Sequence, residues 1–186
     1  VFPLVTFQKK PGDSVTIWNH FLTEESDLTR FLKLDNPWQT SGPMFKSNFL
    51  LGKYQWFENA NSWQEWFFFI TLLMDKPLYK KLDVIPDYFL RRDIREDSIT
   101  NSNNTNKEYY INRLHLFDEI YTCMKKRKIL CEKLKSYIAG WIYMQSNDAI
   151  KKNVPINIGT YINFFWKLKI SPFHVNIVFI FYLLTL

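Results

Sequence analysis

Four consecutive basic residues are the clearest candidate for binding chemistry in the sequence. They run from Lys125 to Lys128, and two further lysines follow closely. Ammonium and guanidinium groups bind the phosphates of RNA or of lipid head groups. We therefore predict a phosphate-binding surface formed by Lys125, Lys126, Arg127, Lys128, Lys133 and Lys135. The structural alternative is that these cations complement the negative end of a helix dipole or only contact solvent.

The C-terminal segment carries a second pattern with a chemical meaning. The seventeen residues from Ile170 to Leu186 contain no Asp, Glu, Lys or Arg, and Trp166, Lys167 and Lys169 precede them. This length is at the low end for a membrane span, and Trp and Lys are typical of the flanking interface. We predict that Trp166, Lys167 and Lys169 are membrane-interface anchors. A segment that is buried in a protein core, or that docks on a partner, could have the same composition.

The sequence contains none of the common motifs for catalysis, cofactor binding or metal binding. There is no G-x-x-x-x-G-K-[ST], G-x-G-x-x-G, G-x-S-x-G, H-E-x-x-H or C-x-x-C. His115, Cys123 and Cys131 recur every eight residues, but on one helix they lie too far apart to share an ion without partner side chains. We expect no metal, no cofactor and no catalysis, although an active site of scattered residues would leave no motif.

The elements that position these residues are predicted to be helical, and the central helix covers Ser62 to Met74. Nine of the twelve residues from Trp63 onward are large and apolar. Ser62 and Glu65 have the spacing of a capping box, so the helix is predicted to begin there. A helix with so few polar positions must be buried on most sides. We predict that its buried residues include Trp66, Phe69, Ile70 and Leu73.

Caps and apolar spacing predict the other helices. Thr23 is a candidate N-cap for a helix that ends near Leu34, and Pro86 suits the first turn of a short helix that ends near Glu96. Thr105 and Glu108 form a second capping box.

Two apolar series follow Thr105, and a step of six positions, from Met124 to Leu130, separates them. The first is Tyr110, Leu114, Phe117, Tyr121 and Met124, and the second is Leu130, Leu134, Tyr137, Trp141 and Met144. A helical hairpin or one kinked helix would explain this step. The absence of Gly and Pro between Lys107 and Ala139 favours the kinked helix.

Length and composition fit a mainly α fold with five or six helices and irregular, aromatic-rich connections. Aromatic residues make up 18% of the 186 residues, and seven of them are Trp. We predict a single helical domain at 1–166 with a polar insertion at 98–106. A basic-flanked, apolar segment at 167–186 would follow, for contact with a membrane or for docking. Two cysteines that are too far apart on a helix to bond indicate a reduced compartment.

Charge and aromatic content favour a function in assembly. The net charge is +6, and the last 36 residues contain no acidic residue. Such an end suits a membrane surface, a phosphate-bearing partner or an acidic protein. We expect a non-catalytic accessory or scaffold subunit of a membrane complex, such as one of the mitochondrial inner membrane, with other protein subunits and the lipid bilayer as partners. The alternatives are an RNA-associated ribosomal accessory subunit and a soluble helical adaptor.

Overall fold

The computed structural model describes residues 6–7, 16–17, 23–38, 40, 42–54, 56–58, 62–80 and 106–169. These residues are mainly helical, as predicted. The described strands are β1 (Thr6–Phe7) and β2 (Thr16–Ile17), which pair antiparallel. The chain forms two compact units, Val1–Asn104 and Thr105–Leu186. The predicted helix at 86–96, most of the polar insertion at 98–106, and the apolar segment 170–186 lie outside the described residues.

The first unit contains α1 (Asp27–Leu32), α2 (Ser47–Leu50) and α3 (Gln64–Met74), and α1 packs against α3. The predicted start at Thr23 is wrong. The Thr23 hydroxyl donates to the carbonyl of Glu25, whereas Ser26 caps α1 by accepting a hydrogen bond from the Thr29 N–H at 3.2 Å. Leu34 has a left-handed backbone with φ of 58°, so α1 also ends before the predicted residue.

The predicted capping box of α3 is wrong, but the predicted burial of α3 is confirmed. Trp63 precedes the helix with a left-handed φ of 67°, and no side chain caps the first turn. Ser62 is therefore one residue too early to reach the N–H groups that need a partner. The four residues predicted to be buried are at most 6% exposed, and they are Trp66, Phe69, Ile70 and Leu73.

The second unit contains α4 (Lys107–Lys126), α5 (Glu132–Lys151) and α6 (Ile158–Leu168). The prediction of one kinked helix is wrong, because α4 and α5 form a hairpin. Lys128 has a left-handed φ of 56°, and the Ile129 N–H bonds back to the Met124 carbonyl at 3.1 Å. This is the usual chain reversal at a helix C-terminus, here without glycine. Asn106, and not the predicted Thr105, caps α4 by accepting from the Glu108 N–H.

The first predicted apolar series is confirmed, and the second is largely wrong. Every member of the first series, from Tyr110 to Met124, is buried, whereas Met144 in the second series is 55% exposed. The buried side of α5 is shifted by about one residue relative to the second predicted series. The turn after α4 breaks the helical register, so the register of α5 does not continue that of α4. Small residues on that side allow close packing against α4 and α6. The buried residues are Leu134, Ile138, Ala139, Ile142, Gln145, Ser146 and Ala149.

Candidate functional site

Contacts at the two ends of α4 establish how the second unit is arranged. At the start of α4, Tyr109 and Tyr110 pack with Ala149 near the end of α5 and with Val154, which precedes α6. At the other end, the Tyr121 hydroxyl donates to the Lys167 carbonyl at 3.2 Å. Helix α6 therefore runs parallel to α4 and antiparallel to α5. The ends of α4 and α6 and the start of α5 lie together.

This arrangement brings all nine predicted binding residues to one end of the unit, which we call the basic end. It contains Lys125, Lys126, Arg127, Lys128, Lys133, Lys135, Trp166, Lys167 and Lys169. Lys125 and Lys126 occupy the last turn of α4, and Lys133 lies in the first turn of α5. The sequence presented these residues as two separate patterns, and the packing of α6 on α4 unites them.

Most side chains of the basic end contact solvent. Lys125, Lys126, Lys128, Lys133 and Lys169 are exposed. Trp166 is 63% exposed, which is unusual for so large an apolar group. Lys135 and Lys167 of the basic end take part in ion pairs with described carboxylates. The Lys135 ammonium lies 2.6 Å from the Glu132 carboxylate, and the Lys167 ammonium contacts the Asp118 carboxylate.

Positive charge dominates the basic end. Against its eight cations, the described residues of α4 and α5 that are near them in sequence supply the carboxylates of Asp118, Glu119 and Glu132. The ends of α4 and α6 carry the negative poles of their helix dipoles, so some of this charge stabilises the helices. The lysines beyond the last turns, Lys128 and Lys169, extend the positive surface past the helix ends.

The opposite end of the second unit holds a partly buried polar cluster that the sequence did not reveal. Asp148 accepts hydrogen bonds from the Tyr110 hydroxyl at 2.8 Å and from the Lys152 ammonium at 2.9 Å. Arg113 is 7% exposed, and its guanidinium carbon lies 4.0 Å from the centroid of the Tyr109 ring. These contacts join the start of α4 to the end of α5.

Burial and pairing shift the pKa values in this cluster in different directions. Burial lowers the pKa of Arg113 to about 10, which still leaves the guanidinium charged at neutral pH. Burial alone would raise the pKa of Asp148, but hydrogen bonds from Lys152 and Tyr110 outweigh it and hold that pKa below its usual value. The Tyr110 hydroxyl thus joins α4 to α5 through Asp148, and the Lys152 ammonium pairs with the same carboxylate at the end of α5.

The first unit has an aromatic cluster and exposed apolar residues. Phe68 of α3 is 5% exposed, and the rings of Phe45 and Trp56 cover it at centroid distances of 6.0 and 4.8 Å. The outer sides of these rings remain in solvent, at 36% for Phe45 and 45% for Trp56. Met44 and Leu51 in the same segment are each 77% exposed. Arg30 in this unit is fully buried and forms a bidentate pair with Asp35 at 2.7 and 3.2 Å.

The described residues form no metal site, and no described helix is both long and apolar enough to cross a membrane. Cys123 and Cys131 are free thiols. His115 and Cys123 lie on α4, which ends at Lys126, whereas Cys131 precedes α5. The expectation that all three residues share one helix is therefore wrong.

Comparison with known proteins gives no further indication of function. No family model, curated protein or solved structure matches the chain. The basic end is therefore the candidate site that the geometry itself provides.

Proposed function

We propose that this protein is a non-catalytic accessory subunit of a larger assembly at a membrane surface. The observation that supports this most directly is the basic end, where exposed cations surround the ends of α4 and α6 beside the exposed Trp166. Clustered lysines are attracted to anionic lipids, and Trp favours the boundary between lipid and water. The seventeen residues without Asp, Glu, Lys or Arg begin directly after Lys169.

The alternative partner is RNA, and one observation favours it. Single-stranded RNA sites combine cations with aromatic side chains on which bases stack. No aromatic residue interrupts the run from Lys125 to Lys128, but the fold brings Trp166 to the same end. We prefer the membrane, because an RNA site gives no reason for the uncharged segment after Lys169.

Co-purification and membrane fractionation of the native protein test this proposal. We expect it to co-purify with membrane-protein subunits and to sediment with membranes at physiological salt. Co-purification with ribosomal RNA would support the alternative, and a protein that co-purifies with neither would refute both. A carbonate wash then separates attachment by charge, which it reverses, from attachment through an apolar segment.

Charge variants connect this fractionation to the basic end. Each lysine near an anionic surface contributes about 1 kcal/mol. Lys125→Gln with Lys126→Gln should therefore weaken membrane association about 30-fold. The matched control is Lys107→Gln with Lys151→Gln, which removes the same charge from exposed positions at the opposite end. An equal loss in both variants would show that only net charge matters.

A further inference from the structure

One ion pair of the basic end bridges two helices and remains accessible to solvent. The Lys167 ammonium of α6 contacts the Asp118 carboxylate of α4. It also lies 5.6 Å from the centroid of the Tyr121 ring and 5.7 Å from that of Phe164. The side chains of Lys167 and Asp118 are 44% and 38% exposed. The ammonium is thus held in place against α4, while a ligand can still approach it from solvent.

Two further lysines lie towards the ends of the same two helices. Asp118, Tyr121 and Lys125 are spaced by three and then four residues, so they follow one stripe along α4. Lys125 lies about 6 Å beyond Tyr121 along the helix axis. Lys169 follows Lys167 by two residues and is exposed at the end of α6. Asp118 therefore pairs with Lys167 on the side of α4 that carries Lys125 further towards its end.

We propose that Lys125, Lys167 and Lys169 bind the phosphate of an anionic phospholipid head group, and that Asp118 is an internal counter-ion which this phosphate displaces from Lys167. This inference rests on the proposed function at a membrane surface. Exposed ion pairs are weak, so breaking one reduces a binding constant at most about five-fold. A phosphate that contacts three ammonium groups gains more than Asp118 gives up. The weak pair keeps Lys167 in position until the membrane is reached.

The test measures binding of the full chain to vesicles of phosphatidylcholine with and without phosphatidylglycerol. Asp118→Asn should strengthen binding to the anionic vesicles two- to five-fold more than Glu119→Gln does. Glu119 is the matched control, because it is the next residue of α4 and carries the same charge on a different side of the helix. Thermal unfolding of each variant establishes that the fold is retained.

A second background separates displacement of Asp118 from a general effect of charge. In a Lys167→Gln chain, Asp118→Asn and Glu119→Gln should have equal effects, because Asp118 no longer has an ammonium to occupy. Equal effects in the original chain, or weaker binding by Asp118→Asn, would overturn the inference. Binding of a single-stranded RNA oligonucleotide without binding to anionic vesicles would overturn the assignment to lipid.

The inference and the proposed function can fail separately. A chain that co-purifies with membrane subunits but shows no difference between Asp118→Asn and Glu119→Gln retains the proposed function and lacks the phosphate site. A chain that binds anionic vesicles as expected, yet co-purifies with no other protein, has the lipid site but is not an accessory subunit.

Discussion

Replacing Phe69 by alanine tests what holds the first unit together. Phe69 is 2% exposed and lies in the middle of α3. Its ring stacks on Phe31 of α1 at a centroid distance of 5.4 Å, and it meets the edges of Trp38 and Phe68 at 5.7 and 5.5 Å. The substitution removes all three ring contacts and leaves a cavity where α1 packs on α3.

The expected loss follows from these contacts. Truncation of a buried Phe to Ala costs about 3–5 kcal/mol, and the cost rises when the site cannot collapse. Rigid aromatic rings surround Phe69 on several sides, so we expect about 4–5 kcal/mol. Phe45→Ala is the matched control. Phe45 is 36% exposed and has a ring contact with Phe68 at 6.0 Å, so its truncation should cost about 1–2 kcal/mol.

Urea-dependent hydrogen exchange, read by mass spectrometry of peptides, reports each unit separately. In Phe69→Ala, the free energy of hydrogen exchange of the α1 and α3 amides should fall by about 4–5 kcal/mol. Peptides from α4 to α6 serve as the internal reference. A loss below about 2 kcal/mol, or no greater than that of Phe45→Ala, would show that the ring cluster does not hold α1 on α3.

Two further predictions concern the second unit. Because hydrogen bonds from Lys152 and Tyr110 lower the folded pKa of Asp148 from its usual value, the stabilisation they provide is present above the unfolded pKa and is lost as the pH falls through the folded pKa. Denaturation at pH 7 and pH 3 should therefore show that the stability difference between the original chain and Asp148→Asn shrinks on acidification, and a constant difference would contradict this. Truncation after Lys169 should release the protein from its membrane or complex while α3, α4 and α5 stay folded. Fractionation and circular dichroism test this, and a general loss of helical signal would place the removed segment in the core.

The sequence predicted the apolar helices well where burial alone determines them. Trp66 and Phe69 are buried in α3 as expected, and Tyr110 and Met124 are buried in α4. Their spacing repeats at the helical period, and apolar side chains on one side of a helix have to be removed from water. Neither inference requires knowledge of the neighbouring element.

Helix boundaries were predicted less well, and one physical reason accounts for part of the errors. Several described helices begin or end beside residues other than glycine that have a left-handed backbone, among them Leu34, Trp63, Lys128 and Lys169. Sequence rules look for Gly or Asn at such positions, because other residues lose about 1 kcal/mol or more there. The chain has only five glycines. At Lys128, the packing of α4 against α5 offsets the cost of the left-handed backbone. No local sequence pattern reveals this packing.

The basic end shows why a site can be predicted residue by residue and still be misread as a whole. Lys125 and Trp166 are separated by forty residues, and sequence reasoning assigned them to two separate surfaces, a site for lipid or RNA phosphates and a membrane interface. Their proximity depends on the packing of α6 parallel to α4, through contacts such as that between Tyr121 and Lys167. Once the helices pack, cations and an exposed Trp share one end. The proposal of a lipid surface, which has anionic phosphates above an apolar layer, rests on this combination of cations and Trp and not on either pattern alone.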